Sequence, residues 1–115
     1  MATVKGTGGF VFHGVHEQVW TPITSGDVGD WMPASTLPDK TMTGQGVWNG
    51  ATLIIQGANA DDKSDAYTLT DGQGNAVSKT ADFGEVLQEN PKYIRPSCPT
   101  GGASTSLTIR CVSHK

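Results

Sequence analysis

Clusters of turn-forming residues cut this chain into about six to eight short strand candidates at roughly 8–12-residue spacing, the signature of a β-sandwich or barrel. Pro22, Gly26, Gly29, Pro33 and Pro38 crowd one stretch. Asn49-Gly50 marks a second turn, Asp71-Gly72-Gln73-Gly74-Asn75 a third, and the segment from Cys98 to Ser104 a fourth. Long helices are excluded by so many breakers. At 115 residues the chain is the size of one domain. It holds 15 glycines, and threonine and serine together outnumber them. That mixture favours short strands and tight turns.

The segments between turns carry a period of two. In Ser104 to Ser113, Thr105, Leu107, Ile109 and Cys111 share one face and Ser104, Ser106, Thr108, Arg110 and Val112 the other. Lys40 to Trp48 and Ala51 to Ala58 flank Asn49-Gly50, both of whose residues tolerate positive φ, so residues 40–58 are expected to form a hairpin. Phe10 to Trp20 reads as a strand broken at Gly14. Short strands are also expected at 66–70, 77–80 and 92–96, with 82–90 open between a helical turn and an irregular strand. The stretch from Thr21 to Pro38 reads as a long loop. The expected core is Leu53, Ile55, Leu69, Leu87, Ile94, Leu107 and Ile109. Residues 1–9, small and glycine-rich, read as a flexible N-terminal arm. Residues 10–115 then form a single-domain, all-β antiparallel β-sandwich, with a jelly roll among the forms it can take.

The net charge of −3 and the scattering of the eight Lys and Arg residues exclude nucleic-acid binding through bulk charge. No apolar run approaches the length of a membrane-spanning helix, and no membrane contact is expected. The N-terminus lacks a charged and then apolar leader, so Cys98 and Cys111 are expected as free thiols, although a bridge between them is sterically possible. His13 and His16 point to opposite faces of one strand and His114 stands apart, so no metal is expected. Asp61, Asp62 and Asp65, and the loop from Asp71 to Asn75, superficially resemble calcium loops, but turn chemistry explains both. There is no Gly-x-Ser-x-Gly elbow, and the glycine-rich stretches lack the Lys-Ser/Thr of a phosphate loop. No catalytic residue, cofactor or enzymatic activity is therefore expected. Phe10, Phe12, Trp20, Trp31 and Met32 are the candidate contact residues, since large apolar side chains near loops serve binding surfaces.

Residues 67–96 add a resemblance. Leu69-Thr70-Asp71, Gly74-Asn75-Ala76, Thr80-Ala81, Glu85-Val86-Leu87, Glu89-Asn90-Pro91 and Tyr93-Ile94-Arg95-Pro96 follow one another in an order similar to that in small virion proteins of tailed bacteriophages. Upstream, Leu37-Pro38-Asp39-Lys40-Thr41 and Ala51 to Gly57 resemble further segments of those proteins. Gly101-Gly102 to Ile109 resembles their last hairpin. Gly57-Ala58-Asn59-Ala60 departs from their usual Ser-Asn-Asp turn. The resemblance implies a head decoration or cement protein on the outer capsid surface of the virion, assembled in the host cytoplasm. Its implied partners are the major capsid protein and further copies of itself, as a dimer or trimer. Two other readings stand beside it: a carbohydrate-binding module displayed on a virion, and a tail or head-connector subunit.

Overall fold

The computed structural model describes residues 2–12 and 14–115; His13 lies outside them, and so does Met1. The strands are β1 (Thr3–Val4), β2 (Thr7–Phe12), β3 (Val15–Ile23), β4 (Val28–Gly29), β5 (Met32–Pro33), β6 (Asp39–Val47), β7 (Thr52–Ala58), β8 (Tyr67–Thr68), β9 (Ser78–Lys79), β10 (Phe83–Val86), β11 (Tyr93–Thr100) and β12 (Ser106–His114). They form two sheets. A seven-stranded sheet runs β1-β4-β11-β7-β8, with β5 also on β11 and β9 on β7. A five-stranded sheet runs β10-β6-β12-β3-β2. The fold is an all-β sandwich. Its pairs are antiparallel except β1 with β4, which are parallel.

The alternation seen in the sequence is what builds the core. Along β12, Leu107, Ile109, Cys111 and Ser113 are buried while the residues between them are half-buried or exposed. Along β7, Leu53 and Ile55 face inward and Ile54 outward. All seven expected core residues are buried, joined by Trp20, Ile23, Met32, Met42, Val77 and both cysteines. The two cysteines are free thiols.

The expected hairpin over 40–58 is not one. Its turn forms as the dipeptide dictates: Asn49 has φ 44° and Gly50 φ 78°, and Ala51 N–H donates to the Trp48 carbonyl at 2.8 Å. Yet β6 pairs with β10 and β12, whereas β7 pairs with β11 in the other sheet. The turn is an arch across the core. An Asn-Gly pair specifies a reversal of direction, and the strand that leaves it can as well face its predecessor across the core as lie beside it. Thr105 holds the arch from below, its hydroxyl donating to the Trp48 carbonyl at 2.8 Å.

Residues 2–9, expected as a flexible arm, are paired into the sheets. They supply β1 and half of β2. Ala2 N–H donates to Asp27 Oδ1 at 3.2 Å, and the Ala2 and Val4 carbonyls accept from Val28 and Asp30. Glycine serves close approach here. A Cβ on Gly6 would lie 2.7 Å from Trp20 Nε1, and one on Gly29 2.7 Å from Trp20 Cδ1. Both glycines thus let backbone lie against the indole.

Candidate docking surfaces

The five candidate contact residues separate. Trp20 and Met32, 0% and 3% exposed, belong to the core. Trp20 Nε1 donates to the Asp30 carbonyl at 3.1 Å and to its Oδ1 at 2.9 Å, and Gly6 N–H donates to the same carboxylate oxygen at 2.9 Å. Through Asp30, Trp20 thus ties the N-terminal segment to the chain beside β4, and neither Trp20 nor Met32 is exposed. Their nearness to turn residues suggested surface placement, but β3 continues to Ile23 and buries Trp20 within it. Phe12 belongs to β2 by its backbone pairing with Val15. Phe10 is exposed, and Trp31 is half-buried.

Phe10 stands where the sandwich opens. Register places Phe10, His16, Ser113 and Lys40 in one row across the five-stranded sheet. Cross-strand partners share a face, and the buried Ser113 and Lys40 show that this row faces the opposite sheet. At the β2 edge the row is uncovered. Phe10, 69% exposed, meets the His16 ring edge-on at 5.3 Å. Beside them a pocket of about 170 Å³ is closed on its far side by Pro33, Ala34, Thr36 and Leu37. Its wall is anchored by Lys40, whose ammonium donates to the Leu37 carbonyl at 2.8 Å and to Asn90 Oδ1. Asn90 Nδ2 in turn donates to the Ser35 carbonyl at 3.1 Å. Burial pushes the Lys40 pKa below its ordinary value. Nothing in the sequence reading marked Lys40, although it shares parity with Met42 and Gly44 along β6. The β2 edge also exposes Val11, and β10, the opposite edge of this sheet, exposes Val86.

A second surface lies on the outer face of the seven-stranded sheet. Ile94 and Pro96 of β11 are buried, so Arg95 between them points outward. Its guanidinium lies 4.4 Å over the Trp31 ring, and its Nε donates to Gln56 Oε1 at 2.9 Å. Gln56 pairs with Arg95 on one side and with Thr68 on the other. Nearby, Asp61 accepts from Lys92 Nζ at 2.5 Å and from Tyr93 Oη at 3.0 Å, and Lys63 sits 4.2 Å from the Tyr93 ring centroid.

The acidic loops bind their own backbone. Asp65 accepts from the N–H groups of Asn59 and Ala60, and Asp62 from Ser64 N–H. Asp71 accepts from Asn75 and Gln73 N–H, and these bonds hold its carboxyl below the usual range. Among the described residues no group of three metal-ligating side chains converges. Burial pushes the Cys111 thiol up to about 11 and raises that of Cys98, so both stay protonated and poorly nucleophilic at neutral pH.

No family model matches the chain, and no curated protein matches its sequence. Solved structures resemble the chain to different degrees. The SPBc2 prophage-derived protein YomS is 9% identical, with a TM-score of 0.57 over 93% of this chain and 100% of that one. PliG of Aeromonas hydrophila, a periplasmic inhibitor of g-type lysozyme, is 15% identical, with a TM-score of 0.48 over 99% and 96% of the two chains. The K1 cleaved adhesin domain of Lys-gingipain from Porphyromonas gingivalis W83 is 8% identical, with a TM-score of 0.42 over 97% and 83%.

Proposed function

We propose that this chain is a non-enzymatic structural protein of a tailed-phage virion, which docks on the outer surface of the head and cements neighbouring capsomers. The observation that carries the reading is the full-length likeness of its sandwich to a prophage-derived protein, together with the ordered motifs of residues 67–96. The exposed apolar edges support it as well. Phe10 and Val11 sit on β2, an edge strand whose six residues, TGGFVF, include no charge and no proline. Uncharged edges of that kind invite a neighbouring chain. On a symmetric shell, many weak copies of one contact sum to firm attachment.

The carbohydrate-binding reading has less support. Arg95 lies over the Trp31 ring and Lys63 over that of Tyr93, so a stacking sugar would compete with a cation at either ring.

Co-sedimentation with heads assembled from a shell protein encoded beside this gene tests the proposal. The wild-type chain is expected to pellet stoichiometrically with the shell, and Phe10→Asp, which leaves the buried core untouched, to pellet less. Wild-type protein that stays entirely in the supernatant overturns the reading.

A further inference from the structure

Among the described residues, every Lys and Arg except Arg95 is either partnered or exposed. Lys79 pairs with Glu85, Lys92 with Asp61 and Arg110 with Glu17, while Lys40 is held by Asn90 and the Leu37 carbonyl. Lys63 donates to the Asp61 carbonyl. Lys5 and Lys115 are exposed. Arg95 is different. It is half-buried on a central strand, and among the described residues no carboxylate lies within ion-pair distance of it. Among the described residues only its Nε has a protein acceptor, the Gln56 amide oxygen. No buried side-chain nitrogen or oxygen among the described residues lacks a partner, so Nη1 and Nη2 reach solvent.

Two features hold the group still. The Trp31 ring lies 4.4 Å from its Cζ, and Gln56 fixes the Nε edge at 2.9 Å. A guanidinium offers five donors in a rigid fork, and its outer pair matches the two oxygens of a carboxylate. Here the fork is oriented in advance, and both groups that orient it are neutral, so its charge is not answered. Partial desolvation without a counter-charge is unfavourable, and burial indeed lowers the Arg95 pKa from its ordinary value. An incoming carboxylate relieves that cost and finds little side-chain freedom left to remove.

We infer that Arg95, held by Trp31 and Gln56 on the outer face of the seven-stranded sheet, is a carboxylate-binding residue that receives an Asp or Glu side chain of a partner protein. That the partner is a protein rests on the docking function proposed above. It accords with the Trp31 ring being covered by Arg95 and so not free to stack on a sugar. Trp31, expected as a contact residue, is a positioning residue on this account. It acts through the guanidinium above it.

The test is a titration of the full chain, ¹⁵N-labelled, with hexaglutamate, following the Arg95 Nε–H resonance. A saturable shift is expected. It should vanish in Arg95→Gln and weaken in Arg95→Lys, which keeps the charge and loses the fork. Trp31→Phe should preserve the response and Trp31→Ala diminish it, with unchanged backbone spectra showing that each variant is folded. No shift with hexaglutamate overturns the inference, as does an equal response from Arg95→Gln. A shift with N-acetylneuraminate but not with the peptide overturns it in favour of an acidic glycan. Head co-sedimentation separates this claim from the one beneath it. If the wild type pellets and Arg95→Gln binds about tenfold more weakly, the site faces the shell. If both pellet equally, the assignment of the partner fails while the docking function stands. If neither pellets, the docking function fails and the peptide titration alone decides whether Arg95 binds carboxylates.

Discussion

Trp20 does three things at once. It fills the core, it fastens the Asp30 segment through its indole N–H, and it offers a flat face to the backbone at Gly6 and Gly29. Trp20→Phe removes the donor and leaves most of the volume. It should cost about 1–3 kcal/mol, the usual penalty for a severed, partly buried hydrogen bond. Trp20→Ala should cost about 3–5 kcal/mol, because a cavity follows. Urea unfolding at unchanged m-value measures both. Cys111 makes a prediction in pH. Its thiol, near 9 in a free cysteine, is pushed by burial up to about 11 in the folded chain. Between those values the folded state binds more protons than the unfolded one, so stability falls as pH rises through the window. Cys111→Ala should remove most of that alkaline loss, read as unfolding midpoints at pH 8 and pH 10.5. Below pH 9, thiol reagents should label the native protein only as fast as it opens.

At the scale of elements, the N-terminal segment depends on carboxylates. Burial raises the Asp27 pKa, but hydrogen bonds from the Thr24 hydroxyl, the Thr24 amide and the Ala2 amide outweigh it and hold the carboxyl below the ordinary aspartate value. A depressed carboxyl stabilises the fold above its unfolded pKa and ceases to do so as pH falls through the folded value. Acidification below that value should therefore loosen β1 and β4 ahead of the core. Hydrogen exchange should show Val28 and Asp30 amides losing protection before those of β12, and Asp27→Asn should show the same pattern at neutral pH. Strand alternation was readable in the sequence wherever one face is buried and the other solvated, which is why Leu53, Ile55, Leu107 and Ile109 could be named in advance. What could not be read is which strand lies beside which. Asn49-Gly50 fixes a turn and stays silent about the sheet that follows. Gly6 and Gly8 look like slack until Gln18, and at Gly6 also Trp20, are seen packed against them. Arg95, Trp31 and Gln56 converge from three separate segments, and no local pattern announces their meeting.

The whole molecule is organised by passage between sheets. From β1 to β2, β3 to β4, β5 to β6, β6 to β7 and at each step from β9 to β12, the chain leaves one sheet for the other. Few strands pair with their neighbours in sequence, so most ladders close large loops, and loop closure must precede the contacts that stabilise it. Refolding should accordingly be slow for a domain of this size, in roughly the millisecond-to-second range of β-sandwiches. Stopped-flow tryptophan fluorescence would measure it, and a microsecond phase carrying the full amplitude would contradict it. The same arrangement leaves the two candidate surfaces on opposite elements, Phe10 on an edge of one sheet and Arg95 on the outer face of the other, so the proposed docking would let a single copy touch two neighbours.

The position of β12 has a mechanical consequence. It lies between β6 and β3, bonded to both along most of its nine residues, whereas β1 is joined to β4 over two residues at the margin of the other sheet. A pull along the C-terminal strand loads two ladders in shear, and many bonds must break together. A pull on the N-terminus peels a short seam bond by bond. The domain is thus a fastener with a strong end and a weak one, and whichever end is tethered decides how much tension it transmits before it yields.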